Sequence, residues 1–175
     1  MAHKQKQRND FRVEPLGKAH DRAAFSCGID ALDNYLKKQA SQDVSKLVSV
    51  CFVLTPDGKT VAGFYTLSQY SVDLVKLPEQ VAIKLPKYPE VPATLLGRLA
   101  TSEDFRSQKL GEFLLLDALN RSLQLSKQVA SAAVIVDAKN EAARRFYEHF
   151  GFLSLPDTPN RLFLPMKTVE KSFTQ

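Results

Sequence analysis

The fold is decided by residues 94–125, TLLGRLATSEDFRSQKLGEFLLLDALNRSLQL. Residues 94–101 are almost entirely apolar, with Arg98 as the one charge, and they predict a strand. A polar turn follows, and apolar residues then recur at helical spacing over 110–125. The predicted buried positions of that helix are Leu114, Leu115, Ala118, Leu119 and Leu123. The stretch therefore predicts a strand, a turn and an amphipathic helix.

The next apolar segment completes a strand–helix–strand unit. Residues 129–136, VASAAVIV, form the continuous apolar run that is expected of a strand covered on both faces. A crossover through one helix makes the strands at 94–101 and 129–136 parallel neighbours. Upstream, an alternating run at 48–54 and a second apolar segment at 61–67 flank the turn TPDG and predict an antiparallel hairpin. Together these elements predict an α/β (α+β) fold with a mixed sheet.

Shorter elements are predicted around this centre. Residues 11–16 predict an edge strand, residues 30–40 an amphipathic helix with Asp30 as N-cap, and residues 79–84 a short helix. A helix over 141–150 has Asn140 as its N-cap and Gly151 as its C′ residue. Residues 152–155 and 161–166 predict a closing hairpin, with Pro165 indicating a sheet edge. The predicted organisation is a flexible basic tail at 1–10, one domain at 11–168 and a C-terminal tail at 169–175.

The composition narrows the class of protein. The chain of 175 residues carries a net charge of +5, which favours an anionic partner such as nucleic acid or a phosphate-bearing ligand. Ordinary solubility charge explains it equally well. No apolar run approaches the roughly 18 residues of a membrane span. Cys27 and Cys51 have no metal-ligand spacing, so we expect no metal site and a reducing, cytoplasmic location.

The turn that opens the central helix has the chemistry of an anion site. The first N–H groups of a helix lack partners and lie at the positive end of its dipole, which suits phosphate. Arg106 and Lys109 add formal positive charge at the same place. The sequence therefore predicts that a polyphosphate-bearing ligand binds here.

Two signatures carry a resemblance to the GNAT superfamily of acetyl-CoA-dependent N-acetyltransferases. Residues 106–111, RSQKLG, are similar to its pyrophosphate loop Gln/Arg-x-x-Gly-x-Gly/Ala. The pattern N-x-x-A-x-x-F-Y-x-x-x-G-F is matched by Asn140, Ala143, Phe146, Tyr147, Gly151 and Phe152. The resemblance covers nearly the whole chain. It implies the GNAT fold, a mixed, twisted central sheet that is flanked by helices and has a parallel pair splayed at the acetyl-CoA site.

The resemblance also implies roles for individual residues. Backbone groups of Leu99, Ala100 and Thr101 would pair with the pantetheine arm of acetyl-CoA, and Asn140 would either hydrogen-bond that arm or serve only as an N-cap. Tyr147 would be the general acid for the leaving thiolate. The pyrophosphate loop would consist of Arg106, Ser107, Gln108, Lys109, Leu110, Gly111 and Glu112. One departure from the pattern is Lys109, which stands at the first glycine; we expect binding to be preserved because lysine brings its own cation.

A narrower resemblance links the chain to the GNAT toxins of bacterial toxin–antitoxin modules. It rests on Phe25-Ser26-Cys27-Gly28 with Leu32, Asp33 and Leu36, and on residues 96–100, LGRLA. Such enzymes acetylate the α-amino group of aminoacyl-tRNA, which implies a tRNA substrate, a small antitoxin partner and a homodimer. Two other hypotheses stay open: acetylation of a protein N-terminus or small amine, and a non-catalytic acyl-CoA-binding remnant.

Several polar residues allow both a structural and a functional interpretation. Cys27 has no histidine near it in sequence, so we interpret it as packed core rather than as a nucleophile. His20 and His149 are weak candidates for the base that takes the amine proton, and His149 is expected on the surface. Arg144 and Arg145 are expected on a solvated helix face. Arg98 must find a partner or reach a cleft, because it is a charge in an apolar strand.

Overall fold

The computed structural model describes residues 10–174. A seven-stranded sheet has the order β1-β2-β3-β4-β5-β7-β6. Its strands are β1 (Arg12–Pro15), β2 (Val50–Thr55), β3 (Gly63–Asp73), β4 (Glu90–Thr101), β5 (Ala133–Asp137), β6 (Leu153–Ser154) and β7 (Arg161–Pro165). The helices are α1 (Asp30–Asn34), α2 (Ala40–Ser45), α3 (Glu79–Ala82), α4 (Leu110–Ser126), α5 (Glu141–His149) and α6 (Met166–Phe173). The mixed sheet and its helices confirm the predicted fold class.

The central strand–helix–strand unit forms as predicted. Strand β4 pairs in parallel with β5, in register from Thr94↔Val134 to Leu96↔Val136, and β4 continues beyond Leu96 to Thr101. Strand β5 is shorter than the apolar run 129–136, because Val129 still bonds back to Leu125 at the end of α4. The hairpin of β2 and β3 is antiparallel, as predicted, with Val53 opposite Phe64.

The chain divides into two compact units, each with its own apolar core. One comprises residues 10–67 and 98–118, and the other comprises residues 68–97 and 119–174. The core of the first unit includes Phe25, Leu32, Tyr35, Leu36, Ala40, Cys51, Val53, Val61, Phe64 and Ala100. The core of the second includes Val72, Leu77, Val91, Ala93, Ala133, Ile135, Leu155 and Phe163. One acetyltransferase domain over 11–168 stays a prediction, and all but the last residue of the predicted basic tail lies outside the described residues.

The ends of some elements differ from the sequence prediction. Asp30 is the first residue of α1 rather than its N-cap; Ile29 occupies the cap position and supplies no side-chain hydrogen bond. Between α1 and α2 the helix widens into a π-helical turn, Tyr35–Gln39. Strand β7 lies inside the sheet, between β5 and β6, so the edge inferred from Pro165 is wrong for the strand as a whole.

The C-terminal tail predicted at 169–175 is largely helix. Helix α6 runs Met166–Phe173, and it buries Met166 and Val169. Burial of each side chain stabilises the segment by about 1.5–3 kcal/mol, which is enough to hold a short helix that would be marginal in water. Residues 169–173 of the predicted tail are therefore helical, and the boundary between domain and tail at residue 168 stays a prediction.

Candidate active site

The loop between β4 and α4 begins with a capped turn. The Ser102 hydroxyl accepts a hydrogen bond from the Asp104 N–H, at 3.3 Å, and starts the 3₁₀ turn Glu103–Phe105. The Glu103 N–H donates to the Ser26 carbonyl, at 2.8 Å. The rings of Phe11 and Phe105 meet edge to face, 5.7 Å apart. These contacts hold the first half of the loop against the N-terminal part of its own unit.

The second half of the loop has an unusual backbone. Ser107 and Lys109 both lie in the left-handed region, with φ of 69° and 55°. Within residues 10–174 the N–H groups of residues 107–112 donate to no other residue, and the first bond of the helix runs from the Phe113 N–H to the Lys109 carbonyl, at 3.3 Å. Consecutive free N–H groups at the positive end of a 17-residue helix offer several hydrogen-bond donors to an anion.

Side-chain charge adds to this site. The exposed Arg106 guanidinium pairs with the Glu103 carboxylate, Nη2 to Oε1 at 2.9 Å. Lys109 is exposed, and it makes no ion pair with any residue in the described part of the chain. The loop therefore presents one neutralised and one unneutralised cation beside its free N–H groups.

The segment Phe25-Ser26-Cys27-Gly28 supports this loop from beneath. Gly28 has a φ of +87°, and a Cβ at this position would lie 2.7 Å from Glu103 Oε1 and 3.5 Å from Arg106 Nη2.

Burial raises the pKa of the Cys27 thiol to about 11, and Asp33 adds to the shift. Since a thiol needs a lowered pKa to be a nucleophile at neutral pH, Cys27 is structural.

The end of β4 lies close to β3 within the same unit. Ala100 is buried, whereas Leu99 and Thr101 are partly exposed. A Cβ on Gly63 would lie 2.8 Å from the Ala100 carbonyl oxygen and 2.7 Å from Leu114 Cδ1. Gly63 is thus required for the close approach of β3, a role that the sequence analysis did not identify.

The charge within β4 has an aromatic partner. The Arg98 guanidinium lies over the ring of Tyr35, 3.5 Å from its centroid. The Tyr35 hydroxyl donates to Asp43 Oδ2, at 2.9 Å, and lies 3.3 Å from Ser49 Oγ. A cation over an aromatic face is stabilised by about 0.5–2 kcal/mol. Arg98 therefore joins β4 to the π-helical turn, and Tyr35 is the partner that a charge in an apolar strand was expected to need.

Helix α5, in the second unit, carries the two remaining predicted site residues. Asn140 Oδ1 accepts from the Ala143 N–H at 2.8 Å, which confirms the N-cap. Tyr147 is 7% exposed, its ring contacts Phe146 and Phe152, and burial raises its pKa. Its hydroxyl makes no hydrogen bond to any of residues 10–174.

The helix ends in a way that fixes Tyr147. The Gly151 N–H donates to the Glu148 carbonyl and the Phe152 N–H to the Tyr147 carbonyl, at 3.0 and 3.2 Å. Gly151, with φ of +92°, supplies the left-handed C′ conformation that this arrangement requires. The sequence Gly151-Phe152 thereby locks the backbone that carries the tyrosine.

The other polar candidates have structural partners. His20 is buried, its Nδ1 accepts from the Gly17 N–H, and its Nε2 lies 2.6 Å from Glu14 Oε1. His149 is exposed and packs its ring edge-on against Phe150, as expected of a surface residue.

The two arginines of α5 also lie as expected. Arg144 pairs with Glu148 at 3.0 Å and Arg145 with Glu141 at 3.4 Å. These i,i+4 pairs are typical of a solvated helix face.

The predicted residues thus fall into two groups. Leu99, Ala100, Thr101 and residues 106–112 lie together in the first unit, and Asn140 and Tyr147 lie on one helix of the second. The described residues contain no group of three or more His, Cys, Asp or Glu side chains that could hold a metal ion. None of the helices within 10–174 is both long enough and apolar enough to cross a bilayer.

Known proteins share this architecture. The chain is 35% identical over 167 residues to a probable toxin TacT of Sinorhizobium fredii, covering 90% of this chain and 92% of that protein. It is 38% identical over 152 residues to a tRNA-acetylating toxin of Mycobacterium tuberculosis, covering 87% and 90%. The structure of AtaT complexed with acetyl-methionyl-tRNAfMet superposes with a TM-score of 0.87 at 30% identity, covering 94% of this chain and all of that one (100%). The profile described as Acetyltransferase (GNAT) family matches residues 19–152. The chain belongs to the GNAT acetyltransferase family.

Proposed function

We propose that this protein is the toxin of a toxin–antitoxin module and that it transfers the acetyl group of acetyl-CoA to the α-amino group of aminoacyl-tRNA. The observation that carries the proposal is the run of free N–H groups at residues 107–112, directly after β4. This run is the feature that an acetyl-CoA-dependent enzyme needs for the pyrophosphate of its co-substrate.

The loop and the strand end would divide the binding of acetyl-CoA between them. The N–H groups of Ser107 through Glu112 and the cations of Arg106 and Lys109 would hold the pyrophosphate. The backbone of Leu99, Ala100 and Thr101 would pair with the pantetheine arm. Acetyl-CoA supplies the activated acetyl thioester. An N–H group of the strand would polarise the thioester carbonyl and stabilise the negative charge that develops on its oxygen.

Tyr147 would complete the transfer. The substrate amine attacks directly, so the chain needs no nucleophile of its own, and the raised pKa of Cys27 agrees with this. Burial keeps the Tyr147 phenol protonated, and its hydroxyl has no competing partner among residues 10–174. It would donate its proton to the leaving thiolate. Asn140 uses Oδ1 as a cap, and its amide N–H groups remain available for the arm of the co-substrate.

The relatives support the acceptor and the partners. One relative is named a tRNA-acetylating toxin, and one solved structure is of AtaT complexed with acetyl-methionyl-tRNAfMet. Other structures show AtaT with the C-terminus of the antitoxin AtaR and a KacTA–DNA complex. The net charge of +5 suits a nucleic-acid substrate. We therefore extend the proposal to aminoacyl-tRNA as substrate and a small antitoxin as partner. The proposed homodimer rests on the resemblance to GNAT toxins alone, and the proposed cytoplasmic location follows from a tRNA substrate.

Radiolabel transfer tests the proposal directly. Purified protein is incubated with labelled acetyl-CoA and a mixture of charged tRNAs, and the aminoacyl ends are isolated. We expect label on the α-amino group of one or more aminoacyl-tRNAs. Label that reaches only protein N-termini or small amines would support acetylation of another amine, and binding of acetyl-CoA without transfer would support the non-catalytic remnant.

Replacement of the phenol tests the general acid. We expect Tyr147→Phe to lower kcat by roughly 10²-fold or more with little change in the Kd for acetyl-CoA, since it removes one proton donor and little volume. The structures of KacT and AtaT include tyrosine-to-phenylalanine mutants. A Tyr147→Phe enzyme with full turnover would remove Tyr147 from the mechanism.

A further inference from the structure

A polar cluster that the mechanism above does not use lies at the carboxyl end of β5. Asp137, the last residue of β5, is opposite Arg161, the first residue of β7. The Arg161 guanidinium binds both Asp137 oxygens, Nε to Oδ1 at 2.7 Å and Nη2 to Oδ2 at 3.0 Å. Its Nη1 donates to the Tyr70 hydroxyl, and its Cζ lies 5.2 Å from the centroid of the Tyr70 ring.

Hydrogen bonds hold the Arg161 guanidinium in place, but they use only some of its N–H groups. Three of the five N–H groups of Arg161 are committed to Asp137 and Tyr70, so two remain free to donate. The side chain is 33% exposed, and Asp137 is 39% exposed. A rigid guanidinium with an accessible face is suited to stacking on a planar ligand.

A small cavity of about 120 Å³ adjoins the cluster. Its lining includes Tyr70, Asp73, Lys76, Asp157, Thr158 and Arg161. The turn that carries Asp157 and Thr158 is held in place, because the Ala138 N–H donates to the Asn160 carbonyl and the Arg161 N–H to the Thr158 carbonyl. The volume equals about four water molecules, which gives room for one planar heterocycle rather than for several nucleotides.

The charge of this lining argues against a phosphate. The lining carries two acids, Asp73 and Asp157, and two cations, and both cations are already paired, Lys76 with Asp73 at 3.0 Å and Arg161 with Asp137 outside the lining. A phosphate would therefore meet no unpaired cation in this lining, whereas a neutral base with amino donors would meet carboxylate acceptors. Unpaired RNA bases are recognised in this way, by stacking on aromatic rings or guanidinium planes and by hydrogen bonds to their edges.

We propose that Tyr70, Asp137 and Arg161 bind the base of the 3′-terminal adenosine of the aminoacyl-tRNA, with Asp157 and Thr158 at its edge. The inference rests on the proposed function. That adenosine carries the aminoacyl ester, so its base must lie near the reacting amine. Ligands of parallel sheets bind outside the carboxyl ends of the strands, and the cluster lies at that end of β5. Arg161 is thus a specificity-determining residue for the acceptor.

The test compares two acceptors that share one amino acid. The first is its 3′-ester with adenosine, and the second is its methyl ester, which lacks the base. We expect Arg161→Lys to raise the KM for the adenosine ester roughly tenfold, the lower range for loss of one base stack. The rate with the methyl ester and the KM for acetyl-CoA should not change. Tyr70→Phe, which keeps the ring and loses the anchor of Arg161, should give a smaller rise, about threefold.

Controls separate this inference from a structural role and from the proposed function. Arg12→Lys, at an arginine that is also paired with a carboxylate, should alter neither acceptor. Equal losses with both acceptors, or no loss with either, would overturn the inference while leaving the proposed function intact. If Arg161→Lys fails to fold, Thr158→Ala takes its place, with a smaller selective loss expected. A wild-type protein that acetylates no aminoacyl-tRNA would overturn both.

Discussion

Lys109 gives the sharpest test of the proposed acetyl-CoA site, because its left-handed backbone should lower the stability of the fold whereas its charge should favour binding of the phosphates. Its φ of 55° is a left-handed conformation, which costs an L-residue about 1–2 kcal/mol. Glycine adopts it freely, at a cost in chain entropy of roughly 0.5–1 kcal/mol. We therefore expect the free energy of unfolding of Lys109→Gly, measured by urea denaturation, to be about 1 kcal/mol higher than that of Lys109→Ala.

Binding should respond differently to the same two variants. Exposed ion pairs contribute about 0.2–1 kcal/mol, and a pyrophosphate carries more than one charge, so the upper value applies. Loss of the cation should raise the Kd for acetyl-CoA about fivefold in both variants, as measured by calorimetry at low salt. The difference should shrink at high salt, where exposed charges are screened.

The pair of variants separates charge from backbone room. If Lys109→Gly binds acetyl-CoA as tightly as the wild type while Lys109→Ala binds more weakly, close backbone approach would govern the site and the argument from charge would fail. If both bind as the wild type does, Lys109 lies away from the phosphates. Lys127→Ala, which removes an exposed lysine just beyond the other end of α4, controls for the change in net charge and should bind normally.

Three further predictions follow from the supports of the site. Asn140→Ala removes the cap on the Ala143 N–H and should lower the free energy of unfolding by about 1 kcal/mol, whereas Asn140→Asp should retain stability. Gly28→Ala places a Cβ 2.7 Å from Glu103 Oε1 at a φ of +87°, so it should destabilise by about 1–2 kcal/mol and weaken acetyl-CoA binding; unchanged binding would separate this segment from the loop. With its pKa raised to about 11, the Cys27 thiol should alkylate slowly at pH 8, where about a thousandth is thiolate, and roughly tenfold faster per pH unit up to pH 10; rapid labelling of the folded protein at pH 8, located by mass spectrometry, would contradict this.

The central part of the fold could be predicted because its signals are local. Apolar runs, helical spacing and turn residues lie next to one another over 94–136, so the order β4, α4 and β5 follows from them. Helix α6 was missed because only two of its residues, Met166 and Val169, are buried, and too few apolar positions remain to establish a period. In strand β2, Cys51 and Val53 are buried and Val50 is exposed. The alternation in the sequence predicts a strand, but it does not say which of the two faces meets the core.

The site shows the same division between local and long-range information. The motif positions of Asn140 and Gly151 predict the cap and the C′ residue correctly, since both are local features of α5. The partner of Arg98 could not be read from the sequence, because Tyr35 reaches it through tertiary packing. The role of Arg161 could not be predicted for a similar reason, because its partners Asp137 and Tyr70 are distant in sequence.

The geometry of Lys109 bears on whether the loop has drifted from its function. A lysine at a glycine position would be expected to relax into its preferred conformation if nothing required otherwise. Instead both Ser107 and Lys109 remain left-handed, and residues held in such regions persist where the surroundings determine the backbone. The first half of the same loop is held by the Glu103 N–H, which donates to the Ser26 carbonyl, and by Gly28, which lies close to the Glu103 side chain. The free N–H groups of residues 107–112 thus occur without the glycine, and the exposed Lys109 cation lies beside them, which favours retained binding of acetyl-CoA. Because a binding remnant would share this property, only transfer of the acetyl group distinguishes the enzyme from the remnant.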